Sequence, residues 1–188
     1  MRSVETPVTR ESIAHFGPVR LTVKVECERL QEGAILATEP RVLGMQKAVS
    51  YLIGASEFRI PRPNSVLVVE TAEEILSDKV RALLERPYLK GRDIYDVWHL
   101  RDRLRVPVVR MVMERKFSCY AAPFTPRRRP AWFESNDKEL VDAIEGDLRR
   151  FLSPEMMEVC RGDGYRRFLD AVKGVFRELR EIGVVVPS

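Results

Sequence analysis

Two adjoining amphipathic segments in the middle of the chain decide the fold. Residues 71–100 read TAEEILSDKV RALLERPYLK GRDIYDVWHL. Apolar side chains recur at helical spacing on both sides of Pro87, which predicts one helix over about 71–86 and a second from Arg92–Asp93 to about Leu104. Two helices joined by so short a connection are expected to pack antiparallel.

The first helix begins with the pattern of a capping box. The Thr71 hydroxyl is expected to accept a hydrogen bond from the amide of Glu74, and the Glu74 carboxylate is expected to reach back to the amide of Thr71. This pairing would fix the start of the helix.

Each helix carries a charged residue on its apolar face. Steps of four, three and four residues from Ala72 give positions 76, 79 and 83, and position 79 is Lys. One turn before Val97, the apolar seam of the second helix reaches Asp93. Antiparallel packing would bring Lys79 and Asp93 into one pocket, surrounded by Leu76, Leu83, Val97 and Leu100. Such a pair is typical of a structural ion pair between helices, and equally of a phosphate-binding lysine beside a carboxylate that orients it or holds Mg²⁺.

The residues before Thr71 predict a small sheet. Residues 19–27 alternate between apolar and polar side chains, as a strand does, and Val66–Val69 is a wholly apolar run typical of a buried strand. The stretch 35–60 stays open between a strand through Ala34–Ala37 and a helix, whose apolar stripe would be Val42, Met45, Val49, Leu52 and Ile53.

The residues after the two helices predict a mainly helical half. Apolar periodicity indicates helices over about 108–117, from Ser135 or Asn136 to about Leu152, and from Tyr165 to Gly183. The fold class is therefore α+β, with a small β-rich part over residues 1–70 and a helical part over 71–188.

Composition excludes several classes of protein. The chain has 188 residues, of which 45% are hydrophobic and 32% charged, so global disorder is excluded. No apolar run approaches the length of a membrane span, and three scattered cysteines form neither a disulfide framework nor a zinc site. We expect a cytoplasmic protein without a membrane partner. The scarcity of Asn and Gln is compatible with a thermophilic source.

The same central segment resembles the AbiE-type (AbiEii) nucleotidyltransferase family, the toxins of abortive-infection toxin–antitoxin systems. The resemblance rests on residues 69–83, with their Lys-x-x-Ala-Leu core, and on Arg-Asp-Ile-Tyr-Asp-Val at 92–97. It covers about residues 66–104. It implies a nucleotidyltransferase core that uses an NTP and Mg²⁺.

The resemblance also implies roles for particular residues. Lys79 matches the family's active-site lysine, and Asp93 matches its late aspartate, a catalytic and metal-binding position. Glu26 resembles the third carboxylate of the metal-binding set, although a solvated strand residue gives the same pattern. Lys24 and Arg92 complete the expected nucleotide-binding residues.

The chain departs from the family's pattern at its start. The family has a Gly-Ser turn and an Asp-x-Asp strand upstream of the strand at 19–27, whereas here no Asp occurs before Asp78. Two-metal phosphoryl transfer needs clustered carboxylates. We therefore expect an incomplete or inactive nucleotidyltransferase-like chain, a chain whose missing half lies upstream or in a partner, or a non-catalytic nucleotide- or nucleic-acid-binding protein.

A proline-rich segment over 120–133 carries a basic triplet, Arg127, Arg128 and Arg129. The prolines predict an exposed loop, and clustered arginines can contact RNA phosphates. A solvated basic loop has the same pattern. The partners expected from the sequence are thus an RNA, such as tRNA, or an antitoxin-like protein.

Overall fold

The computed structural model describes residues 2–10, 19–27, 29–46, 50 and 64–187. For the first two of these ranges it describes the backbone alone. Within the described residues the chain forms four strands in two antiparallel pairs, followed by six α-helices. The α+β class is confirmed, whereas the division of the chain at residue 70 stays a prediction.

The first strand pair confirms the strand predicted at 19–27. Strand β1 (Arg2–Arg10) pairs with β2 (Val19–Cys27) so that Arg2 lies opposite Cys27. In the second pair, β3 (Thr38–Val42) lies beside β4 (Val66–Glu70), with Thr38 opposite Glu70. The strand alternative through Ala34–Ala37 is wrong, because the strand begins only at Thr38. The helical alternative falls mostly on residues 47–49 and 51–60, which lie outside the described residues.

The prediction that Val66–Val69 is buried is wrong. Val66, Leu67 and Val68 are exposed, and only the last two residues of β4 are half-buried. A wholly apolar strand is buried when layers cover both of its faces. Among the described elements, β3 is the main neighbour of β4, and Glu70 at the end of the strand pairs with Lys116 of the helical part.

The helical part begins directly after β4. Its helices are α1 (Ala72–Glu85), α2 (Gly91–Trp98), α3 (Arg110–Lys116), α4 (Asp137–Leu148), α5 (Pro154–Gly162) and α6 (Arg166–Glu181). A π-helical turn, His99–Arg103, extends α2, and a 3₁₀ turn, Pro130–Glu134, precedes α4.

One helix was missed and another predicted too long. The helix expected to reach Leu152 ends at Leu148, and α5 follows it. Pro154 occupies the first turn of α5, and the Ser153 hydroxyl accepts a hydrogen bond from the Met156 amide at 3.3 Å. Because α5 buries only Met157 and Cys160, its apolar stripe is too short for periodicity to reveal.

The core lies among the helices, with α2 at its centre. Helix α2 packs against α1, α4 and α6. The predicted seam is confirmed, since Leu76, Leu83, Val97 and Leu100 are all buried. At Gly91 the backbones of α2 and α4 approach so closely that a Cβ there would lie 2.7 Å from Ile144 Cα. In the described part of the chain, every helix is too short or too polar to cross a membrane.

Candidate functional site

Only half of the predicted capping box forms at the start of α1. The Thr71 hydroxyl accepts from the Glu74 amide at 3.5 Å, as expected. The Thr71 amide instead donates to the Ala37 carbonyl at 3.0 Å, and the Glu74 carboxylate accepts from the Ala37 amide at 2.8 Å. Ala37, just before β3, thus pairs with both the Thr71 amide and the Glu74 carboxylate, which the capping box would have joined to each other. The reciprocal bond predicted from the sequence is therefore wrong.

The predicted contact between α1 and α2 is confirmed. Lys79 Nζ lies 3.3 Å from Asp93 Oδ1 and 2.6 Å from Asp96 Oδ2. The other oxygen of Asp93, Oδ2, accepts from the Arg86 guanidinium. Lys79 and Asp93 therefore belong to a group of four charges, which we call the Lys79 cluster: Lys79, Arg86, Asp93 and Asp96.

The members of the Lys79 cluster differ in burial. The Asp93 side chain is 2% exposed, whereas those of Lys79 and Asp96 are 27% and 38% exposed. The buried carboxylate is held by cations on both of its oxygens, which offsets the cost of burying its charge. The ammonium of Lys79 lies at the rim, where an anion from solvent can reach it.

Two members of the cluster were not among the site residues predicted from the sequence. Asp96 follows Asp93 by three residues, so both lie on the same face of α2, and this spacing could have revealed it. Arg86 follows Lys79 by two turns but lies just beyond the end of α1. The direction of the Arg86 side chain depends on the path of the backbone after α1, and helical periodicity does not define that path.

A second charged cluster, not predicted from the sequence, joins β4, α1 and α3. We call it the Lys116 cluster, and its members are Glu70, Glu74, Asp78, Lys116 and Tyr120. Lys116 on α3 is completely buried, and its Nζ lies 3.2 Å from Glu70 Oε1, 3.1 Å from Glu74 Oε2 and 2.8 Å from Asp78 Oδ2. Tyr120 donates from its hydroxyl to Asp78 Oδ1 at 2.7 Å. The three carboxylates recur every four residues, a spacing that places them on one side of the chain as it enters and follows α1.

Electrostatics in the Lys116 cluster favour the ammonium form of the lysine. Burial lowers the pKa of Lys116, but the hydrogen bond and charge of Asp78, together with the charges of Tyr120 and Glu70, outweigh it, so the pKa is raised above its ordinary value. Burial, then the charge of Asp78, raises the pKa of Glu70. Burial and the hydrogen bond to Asp78 likewise raise the pKa of Tyr120. Lys116 and Glu74 are completely buried, and the side chains of this cluster contact one another, which fits a structural role.

The basic triplet lies in a loop, as the prolines predicted, but not all of its arginines are free in solvent. Arg128 is half-buried, and its guanidinium donates to the carbonyls of Leu83, Arg86 and Pro87 at 3.2, 2.7 and 3.2 Å. It thereby satisfies carbonyls that the end of α1 leaves without helical partners. Arg129 donates to the carbonyls of Val186 and Pro187 at 3.2 and 2.9 Å, and both Arg129 and Arg127 are exposed. The predicted exposure is therefore confirmed for two of the three arginines, whereas Arg128 is engaged by the end of α1.

The remaining predicted site residues are not brought together within the described part. Glu26 and Lys24 lie on β2, opposite Ser3 and Glu5, and their side chains lie outside the description. Arg92 is exposed on α2, beside the buried Asp93. Among the described residues, no group of three His, Cys, Asp or Glu side chains is placed to hold a metal ion. The roles predicted for these residues stay predictions.

Comparison with known families assigns the chain to a class of toxins. A family model described as "Nucleotidyl transferase AbiEii toxin, Type IV TA system" matches residues 7–174. Because the match covers most of the chain, this protein belongs to the AbiEii nucleotidyl transferase toxin family. The type IV toxin–antitoxin assignment indicates an antitoxin as a partner. Neither the comparison with curated proteins nor that with solved structures gave a match.

Proposed function

We propose that the chain binds a nucleoside triphosphate through Lys79 at the rim of the Lys79 cluster. The observation that carries this proposal is the pairing of a partly exposed ammonium with a buried, doubly held carboxylate. Lysine binds phosphate as a point charge, and a fixed carboxylate beside it keeps the ammonium at a defined position. Membership of a nucleotidyl transferase family supports a nucleotide as the ligand.

The members of the Lys79 cluster have different roles in the proposed binding. Arg86 and the surrounding apolar seam hold Asp93, so that carboxylate stays in place when a ligand arrives. Asp96 is the more exposed partner of Lys79. An incoming phosphate would therefore replace Asp96 at the ammonium, at the small cost of opening an exposed ion pair.

Mg²⁺ does not fit the described part of this cluster. Both oxygens of Asp93 already contact cations, and no third carboxylate stands close enough to complete a metal site within the described residues. The metal-binding role of Glu26 and Asp93 stays a hypothesis based on the family resemblance.

We propose nucleotidyl transfer as the reaction, with a hydroxyl of RNA, such as tRNA, or of protein as the acceptor. The acceptor oxygen would bond to the α-phosphorus, the bond from that phosphorus to the oxygen bridging to the β-phosphorus would break, pyrophosphate would leave, and the hydroxyl proton would pass to water. Because such transfer depends on carboxylates that hold cations at the phosphates, we expect slow turnover or none from this chain alone.

Nucleotide binding without catalysis is the second candidate function. The occupied oxygens of Asp93 favour it, because they leave this carboxylate as an orienting group for Lys79. In this case NTP would bind, and labelled nucleotide would never appear on RNA or protein.

Calorimetric titration with NTP and Mg²⁺ tests the binding step. We expect weak binding by the wild type and none by Lys79→Ala, which keeps its fold because Arg86 still neutralises Asp93. The matched control is Lys138→Ala, an exposed lysine on α4, which should bind as the wild type does. Equal binding by Lys79→Ala, or none by the wild type at millimolar NTP, would refute the proposal and leave a structural ion pair. Incubation with α-³²P-labelled NTP and total RNA then separates catalysis from binding.

A further inference from the structure

A surface depression at the N-terminal end of α2 combines aromatic and basic side chains. Two of its lining residues are large rings left in solvent, since Tyr88 is 62% and Phe151 68% exposed. Among the described residues, Lys90, Arg92 and Arg150 line the same depression, and Asp147 is the one acid that does. We call this surface the aromatic–basic depression.

The walls of the depression are held in place by the fold. Gly91 brings the start of α2 against the backbone of Ala143 and Ile144 on α4, which fixes one wall relative to the other. The turn after α4 is closed by hydrogen bonds from the amides of Phe151 and Leu152 to the Leu148 carbonyl, at 2.9 and 2.8 Å. Its shape is therefore set before any ligand binds.

The two arginines of the depression differ from many others on the helical part. Arg101, Arg161 and Arg180, for example, each pair with a glutamate. Within the described part of the chain, Arg92 and Arg150 form no ion pair and no side-chain hydrogen bond, and both are exposed. Unpaired guanidinium groups beside solvent-exposed rings form a surface that can neutralise phosphates and stack on bases at the same time.

We propose that the aromatic–basic depression binds single-stranded nucleic acid, with a base stacked on Tyr88 or Phe151 and phosphates at Arg92 and Arg150. Stacking platforms beside a positive groove bind single strands with little sequence preference. The lining carries three cations against one acid, so its charge complements a phosphate backbone. The proposal rests on the proposed function, because the depression would hold the nucleic acid that accepts the nucleotide.

The depression adjoins the Lys79 cluster along the chain. Arg86, which contacts Asp93, precedes Tyr88 by two residues, and Arg92 directly precedes Asp93. A strand held here would therefore lie next to the helix that carries the candidate nucleotide site. The basic triplet at 127–129 offers less, because Arg128 and Arg129 are engaged by backbone carbonyls.

The experiment measures fluorescence anisotropy of a short labelled oligouridylate, with the matching oligothymidylate and an abasic oligomer as comparisons. We expect Tyr88→Ala and Phe151→Ala each to weaken binding about ten-fold, and Tyr88→Phe to bind as the wild type does because it keeps the ring. The abasic oligomer should bind equally weakly to the wild type and to Tyr88→Ala. All these side chains are exposed, so circular dichroism should show an unchanged fold.

Salt dependence tests the phosphate contacts. Arg92→Gln and Arg150→Gln should each reduce the slope of log affinity against log salt concentration by about one. The matched control is Arg103→Gln, an exposed arginine at the far end of the same continuous helical segment, which should leave affinity and slope unchanged.

Either of two results would overturn the proposal: no binding by the wild type, or loss of affinity in Arg103→Gln equal to that in Arg92→Gln. The Lys79→Ala variant keeps this test separate from the proposed function. If NTP binding fails while oligonucleotide binding depends on Tyr88 and Phe151, the depression stands and the nucleotide site falls. The reverse pattern leaves the nucleotide site and removes the depression.

Discussion

Lys116 Nζ lies 2.8 Å from Asp78 Oδ2, and Asp78 directly precedes Lys79 on α1. Two neighbouring residues of one helix thus belong to two different ionic clusters, although their side chains are about equally exposed, at 28% for Asp78 and 27% for Lys79. Asp78 joins α1 to α3, and Lys79 joins α1 to α2. The rotation of α1 about its own axis is therefore fixed from both sides.

The Lys116 cluster should be essential for stability, because its ammonium group is completely buried. Lys116→Met would leave the carboxylates of Glu70, Glu74 and Asp78 without their shared ammonium, so we expect a loss of about 3–5 kcal/mol in the free energy of unfolding. Urea denaturation measures this loss. The control Lys138→Met changes an exposed lysine and should stay within about 0.5 kcal/mol of the wild type. Equal midpoints for the two variants would contradict a stabilising role for the cluster.

Substitutions of Asp93 and Asp96 should differ sharply in their effect on stability, although both residues contact Lys79. Asp93→Ala removes the buried partner of Lys79 and Arg86, and we expect a loss of about 3 kcal/mol, at the lower end for a broken buried pair because both cations reach solvent. Asp96→Ala opens a more exposed pair and should cost below about 1 kcal/mol. Thermal melts of the two variants side by side provide the measurement, and a shift near zero for Asp93→Ala would show that the site is solvated.

The close approach of α2 and α4 predicts opposite effects at two glycines. At Gly91 an added Cβ would clash with the Ala143 carbonyl and lie 2.7 Å from Ile144 Cα, so Gly91→Ala should destabilise the fold by about 1–3 kcal/mol. At Gly146 inside α4, nothing lies within 4 Å of the added atom. Gly146→Ala should therefore stabilise the protein by about 0.5–1 kcal/mol through helix propensity. Chemical denaturation of both variants gives the two signs, and a stabilised Gly91→Ala would exclude this packing.

The raised pKa of Tyr120 predicts that the free energy of unfolding depends on pH in the alkaline range. Its pKa is raised above the ordinary value of 10.0, so the folded state holds the proton more tightly than the unfolded state does. The corresponding stability is complete below about pH 10 and is lost as pH rises towards the folded-state pKa. Tyr120→Phe has no proton to lose and should show a shallower decline in unfolding free energy above that pH. Parallel slopes for wild type and variant in a series of urea titrations would disprove the coupling.

Features that follow from local periodicity could be predicted from the sequence. The strand at 19–27, the two central helices and the meeting of Lys79 with Asp93 all follow from which residues share a face, since the short connection left the helices one plausible packing. The family resemblance likewise rested on residues contiguous in the chain and was confirmed over a longer range.

The pairing of polar groups that are far apart in the chain could not be predicted, because it depends on how the helices and loops pack. Glu74 meets Ala37 and Lys116, and Arg128 meets the end of α1, because separate parts of the chain converge there. Buried charges take whichever partners the packing brings within reach, and that choice does not depend on spacing along the chain. The same holds for the aromatic–basic depression, where Tyr88 and Phe151 line one surface from positions more than sixty residues apart.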